Sequence, residues 1–238
     1  MSSTGSWRTS ISAGLLLLSG CVFQPPAVRT PLFQDDFKSL EYWTVECEKP
    51  SRVVAANGVL DIDTPAGCTV WFKLNLEGPL EIDFDATAVA EGGANDQVSD
   101  LNVFWMARNR DGTAPFSTPR SGKFEAYNDL FTYYVGLGGN RNSTTRFRRY
   151  IGDPVQRPLL PGHDLDKPDV LLLPNHRQTI RLIANGQRIE FHRDSRILFQ
   201  FDDPVPYVQG WFAFRTTYSH LRIERLRIYT LTSASNSR

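Results

Sequence analysis

The chain has 238 residues, of which 41% are hydrophobic and 22% charged. That is enough to bury a full core as one large domain or two small ones, and it excludes disordered and collagen-like chains. Formal net charge is zero, which removes the electrostatic footprint of a nucleic-acid binder, and no such partner is expected.

Residues 1–20 read as a targeting segment. Arg8 gives a positive start, and Ile11 to Leu18 form an apolar run too short for the roughly 30 Å hydrocarbon core. Leu18-Ser19-Gly20-Cys21 follows and resembles the bacterial lipobox, in which small residues admit the signal peptidase and the Cys thiol receives a diacylglycerol. An ordinary secretory signal with an incidental Cys is the alternative. Lipidation of Cys21 places the protein in the bacterial cell envelope, with the membrane as partner through its anchor. Residues 21–32, with Pro25-Pro26 and Pro31, read as an extended tether. Residues 33–230 are the folded domain and 231–238 a tail.

Export leaves Cys47 and Cys68 as an even pair in an oxidising compartment. A disulfide closing this loop of about twenty residues contributes roughly 3 kcal/mol. Two buried free thiols are the alternative. There is no CxxC, and the four His (His163, His176, His192, His220) show no HxH or HxxxH spacing, so no metal site is expected. A structural calcium ion is compatible with the many carboxylates, but there is no Asp-x-Asp-x-Asp-Gly loop. No other cofactor and no oligomeric state is implied.

From Phe33 onward the pattern has period two. Val59 to Asp63 alternates, and Leu80 to Thr87 puts Leu80, Ile82 and Phe84 on one face. The carboxylates of Glu81, Asp83 and Asp85 then point oppositely and read as a solvated face. Leu101 to Ala107, Phe131 to Leu137, Thr144 to Tyr150, Thr179 to Ile183, Ile189 to His192, Trp211 to Arg215 and Leu221 to Tyr229 continue the pattern. Asn57-Gly58 and Asn185-Gly186 are hairpin signals. No long run has a helical period with caps at both ends. The fold class is therefore all-β, a two-sheet antiparallel β-sandwich.

Asp35-Asp36-Phe37 followed by Trp43 resembles the opening strand of concanavalin-A-like lectin/glucanase domains. Ile180 to Phe191 and Gly210 to Arg215 resemble the closing hairpin and strands of that superfamily. Ser99 to Asn102, Phe104 to Ala107 and Tyr134 to Asn140 are similar to a bacterial family within it that is associated with polysaccharide breakdown. The resemblance implies a jelly roll of that type and a polysaccharide or oligosaccharide partner. It leaves the activity open, because one fold hosts lectins, hydrolases and lyases.

The Glu-x-Asp-x-x-Glu strand of the superfamily's hydrolases is absent, which discounts hydrolysis by paired carboxylates. Polar residues gather instead at Asp129, Tyr134, Asn140, Arg146 and Arg148. Period two puts Arg146 and Arg148 on one face, either as a paired receptor for carboxylate or sulfate or as solvated arginines. Asp100 and Asn102 share a face of a central strand, for ligand contact or for tying a loop to the sheet. Charge supports an anionic ligand: residues 21–140 carry 9 basic and 17 acidic side chains, and residues 141–238 carry 16 and 9. Mutual neutralisation of the two halves is the alternative.

Two functions fit. A polysaccharide lyase working by β-elimination needs cations for the uronate carboxylate, here Arg146 and Arg148, and an acid and a base, here Tyr134 and His220. A non-catalytic glycan-binding lipoprotein needs only the rings and donors.

Overall fold

A computed structural model describes residues 27–232. The targeting segment, Cys21, the start of the tether and the last residues of the tail lie outside the described residues. Strands are numbered here in chain order. The first sheet runs β14 (Arg196–Asp202), β13 (Arg188–Arg193), β12 (Arg177–Asn185), β7 (Leu80–Ala88), β16 (Ser219–Thr232), β4 (Val59–Thr64) and β3 (Arg52–Ala56). β1 (Val28–Asp35) also pairs with β16. The second sheet runs β11 (Asp164–Leu165), β10 (Thr144–Ile151), β9 (Phe131–Gly138), β8 (Leu101–Arg108), β15 (Gln209–Thr216), β5 (Cys68–Phe72) and β2 (Trp43–Cys47). β6 (Leu76–Glu77) pairs with the end of β15. All these pairings are antiparallel, and the expected sandwich is the observed fold.

Alternation sets what lies between the layers. Leu80, Ile82 and Phe84 of β7 meet Val103 and Trp105 of β8 and Phe212 and Phe214 of β15 in one core. Phe84 packs edge-on to Phe214, with ring centroids 4.9 Å apart. Two register shifts in adjacent central strands, at Trp105/Arg108 and Trp211/Ala213, bend the second sheet. Gly210 permits that bend. A Cβ there would stand 2.4 Å from the Met106 carbonyl carbon.

Both Asn-Gly signals mark hairpins, by different turns. Asn57 and Gly58 both take positive φ, so they are the two central turn residues. Asn185 instead ends β12, and Gly186 with φ +58 is the first central residue.

The structure corrects two boundaries and one face. Val28 to Leu32 is not tether but strand, paired with the chain's last strand, which itself runs on through Leu231 and Thr232. The carboxylates on β7 are not solvated. Glu81 and Asp85 are buried beneath Arg29, Arg177 and Arg225. Burial alone would raise the Asp85 carboxyl, but hydrogen bonds from Arg225, Thr179 and Arg177 bring it well below the usual carboxylate range.

Cys47 and Cys68 stand directly opposite in the β2–β5 register and are joined by a disulfide. Replacing both (Cys47→Ala with Cys68→Ala) should lower stability by about 3 kcal/mol, the loop-closure value for this span. Denaturant titration of the two proteins measures it, and an unchanged midpoint would remove the disulfide from the stability argument.

Candidate functional site

The face of the second sheet turned away from the core carries the chemistry. Read across in register from β2 to β11, it presents Glu46, Thr69, Arg215, Asn102, Gly136, Arg146 and Asp164. The next row on that face is Trp71, Ala213, Phe104, Tyr134 and Arg148. The first row is polar and the second largely apolar, while the intervening side chains of the same strands fill the core.

Half of this face is covered. The segment between β8 and β9 folds over it, and Tyr127 and Leu130 join Trp71, Phe104, Tyr134 and Tyr150 in a second apolar cluster. Glu46 fastens the cover. Its carboxylate accepts from Trp71 Nε1 (3.0 Å), the Tyr127 hydroxyl (3.0 Å) and the Arg120 amide (2.9 Å). Arg120 in turn donates to Asn109 Oδ1 (2.6 Å) and Asp129 Oδ1 (2.9 Å).

The uncovered part is a cleft of about 1110 Å³. Six of the expected site residues line it: Asp100, Asn102, Tyr134, Asn140, Arg146 and Arg148. Two do not. Asp129 belongs to the covering segment and is spent there on Arg120. His220 lies on β16, in the other sheet, only 7% exposed. Its ring nitrogens meet Asp96 Oδ1 at 3.1 Å and Asp61 Oδ1 at 3.0 Å. Asp96 also accepts from the amides of Glu91 and Gly93, so His220 fastens the loop whose Asn95 and Gln97 rim the cleft. His220 is a clamp at the rim, away from the floor.

Arg146 is also committed. It forms a two-pronged pair with Asp164, at 2.7 and 3.1 Å. Arg148 donates to the Arg157 carbonyl and has no carboxylate partner among the described residues. The matched Arg146/Arg148 receptor expected from the alternation is therefore half closed.

Tyr134 is packed against Phe104 and Phe124, and burial pushes its hydroxyl well above 10. It stays a phenol, able to donate a proton or a hydrogen bond. Gly136 keeps the space beside it: a Cβ there would stand 2.6 Å from the Tyr134 hydroxyl. At the cleft's end Asn140, Arg141 and Asn142 take successive left-handed conformations, φ 53, 58 and 59. Asn accepts this region readily and Arg does not, so strain is stored at the rim. Asn142 pays it back by exchanging two hydrogen bonds with Leu172, at 2.8 and 2.9 Å.

Asp100 has φ +58, accepts from Asn102 Nδ2 at 3.2 Å, and its amide donates to the Gly138 carbonyl. Burial pushes its carboxyl up. Asn102 Oδ1 is buried with no partner. Arg215, opposite Asn102 on β15, was not among the expected residues. The alternation of Trp211 to Arg215 already placed it opposite Phe212 and Phe214, off the core face. No three His, Cys, Asp or Glu side chains gather as a metal site among the described residues.

The family described as "Domain of unknown function (DUF6250)" matches residues 62–226. No curated protein matches the sequence. Among solved structures, the fold is similar to a protein of unknown function with a galectin-like fold from Bacillus subtilis. The TM-score is 0.66 at 13% identity, covering 86% of this chain and 99% of that one. It is also similar to an endo-β-1,3-glucanase from Pyrococcus furiosus (TM-score 0.56, 9% identity, 88% and 100% covered). The carbohydrate-binding module CBM66 from Bacillus subtilis is a third (0.52, 10%, 79% and 96%). At these identities the likeness establishes the fold.

Ionising Asp100 costs more in the folded chain than in the unfolded one. That penalty is absent below the ordinary value of 3.8 and grows as pH rises past it. Asp100→Asn, which also tolerates a positive φ, should therefore melt at a higher temperature than the native protein at neutral pH. The gap should close on acidification. Melting curves across pH measure it, and a constant gap would contradict the assigned cause.

Proposed function

We propose that this chain, which belongs to the DUF6250 family, is a glycan-binding protein of the bacterial cell envelope whose cleft takes an acidic polysaccharide or oligosaccharide. The observation that carries this reading is the charge of the cleft. Lys123, Arg141, Arg148, Arg157 and Arg215 line it, and none has a carboxylate within salt-bridge distance among the described residues. Only Glu48, Asp100 and Glu125 oppose them there. Cations that are left unpaired in a concave site favour an anion. Sugar as the ligand class is supported by the fold neighbours, which include a carbohydrate-binding module and a glucanase. Tyr218 adds a ring at the rim, 56% exposed with φ +49, suited to stacking on a sugar face.

β-Elimination is the second reading, favoured by Tyr134 and Arg148 standing opposite each other in register. Arg148 would neutralise a uronate carboxylate, and the Tyr134 phenol would protonate the leaving oxygen. Taking the C5 proton needs a base, and His220 is turned away from the cleft. Binding makes no such demand, so it is the reading the geometry supports better.

Titration with uronate oligosaccharides tests both. Affinity should fall as salt is raised, and Arg148→Ala should weaken binding by about tenfold, the worth of one charge-assisted hydrogen bond. Equal affinity for neutral glycans, with no salt dependence, would sink the acidic reading. Ultraviolet absorbance from an unsaturated product, lost in Tyr134→Phe, would convert the binder into a lyase.

The envelope location rests on Arg8, the short apolar run and Cys21. In a bacterial host, Cys21→Ser should move the protein from the membrane fraction to the soluble one. Unchanged fractionation would refute lipid anchoring.

A further inference from the structure

We propose that Arg215 is the seat for one carboxylate of the glycan, on the floor of the cleft, with Asn102 receiving a neighbouring hydroxyl. This rests on the acidic-glycan reading and adds where the acid goes. Arg215 is 2% exposed yet lines the cleft. Its Nη1 donates to Thr69 Oγ1 at 2.7 Å and to the Gly122 carbonyl at 2.9 Å. Nε and Nη2 donate to no described protein atom. The rings of Phe124 and Tyr127 lie 5.1 and 5.0 Å from its guanidinium carbon. Rings and two neutral oxygens do not discharge a buried cation, and a buried cation without a counter-ion is costly.

The surroundings are arranged for this side chain. A Cβ at Gly67 would stand 2.7 Å from Arg215 Nη2, so the guanidinium reaches its place only against a glycine. Asp100 is the nearby carboxyl: burial pushes it up and Arg215 draws it down, and it makes no ion pair with the guanidinium. Across the strand pair, Asn102 Oδ1 is a buried acceptor without a donor. The floor therefore has unused donors along one edge of a guanidinium and an unused acceptor beside it.

A uronate residue matches that set. Its carboxylate offers two coplanar oxygens to a guanidinium edge, and its ring hydroxyls donate to Asn102. A sulfate ester spreads three oxygens tetrahedrally and asks for donors from several sides. One edge is what the floor provides. A Cβ at Gly136 would stand 3.2 Å from Asn102 Oδ1 and 2.6 Å from the Tyr134 hydroxyl, so the glycine lets both groups hold their places at the floor.

The alternative is that Arg215 only fastens the Gly122 loop to β5. Two variants separate these roles. Arg215→Lys keeps the charge but loses the fork. Asn102→Asp is isosteric and places a carboxylate in register beside the guanidinium. Calorimetric titration would use the mature chain and a panel of glucuronate, galacturonate and mannuronate oligosaccharides, their carboxyl-reduced counterparts, and sulfated neutral oligosaccharides. For the uronate that binds best, carboxyl reduction, Arg215→Lys and Asn102→Asp should each weaken binding by at least about tenfold. Asn102→Asp also loses its donor to Asp100, so its melting temperature is read beside the affinity, and a folded variant with native uronate affinity counts against the seat. If Arg215→Lys folds poorly, Asn102→Asp alone decides. Uronate affinity unchanged in Asn102→Asp would overturn the seat while leaving the acidic reading intact. Preference for sulfated over carboxylated ligands would overturn the carboxylate assignment. Binding of no acidic glycan by the native protein would overturn the acidic reading, and this inference with it.

Discussion

An open β-sheet face offers a ligand no enclosure, and the cleft exists only because a long segment lies across half of one. Glu46 holds that segment down. It is a buried carboxylate that accepts from an indole of its own sheet, a phenol of the cover and the backbone amide of Arg120. Each bond is charge-assisted and shielded from water, which makes the set worth more than surface pairs of the same length. The apolar cluster of Trp71, Phe104, Tyr127 and Tyr134 supplies the area, while Glu46 supplies the registration. With the cover fixed, the polar half of the face becomes a walled site, and the positions of Phe124 and Lys123 at its edge follow.

Much of this was legible as period-two alternation. The strands 59–64, 80–88, 101–108 and 131–138 sit where alternation puts them. Alternation fails where both sides of a strand are covered. Cys68 to Phe72 is buried throughout, so its sequence shows no polar face to count. Val28 to Asp35 failed for another reason. It carries Pro31 and is largely exposed, as suits a strand at a sheet margin, and Pro-rich sequence reads as linker.

The candidate site was legible in part. Asn102, Tyr134, Arg146 and Arg148 converge because they share one face of adjacent strands, which spacing shows, and Asp100 and Asn140 stand just beyond the ends of those strands. Partners across the chain are invisible to spacing. Arg146 looks free until Asp164 is brought beside it, and His220 looks available until it is seen between Asp61 and Asp96. The charge asymmetry turned out to have two uses. Acidic β7 is neutralised by arginines from the basic half, at Arg177 and Arg225, whereas Arg141, Arg148, Arg157 and Arg215 from that half remain without carboxylates in the cleft.

The pairing of β1 with β16 fixes the length of the leash. With a lipid on Cys21, only the residues before Val28 are left to span from bilayer to fold. At the extended-chain limit they reach about 25 Å. β1 belongs to the first sheet, and the cleft opens on the far face of the second. The site is thus on the side of the sandwich opposite β1. If Cys21 is lipidated as proposed, a domain so closely moored could not search the surrounding space. It would serve polymer that arrives at the membrane surface, or that is passed along it by neighbours.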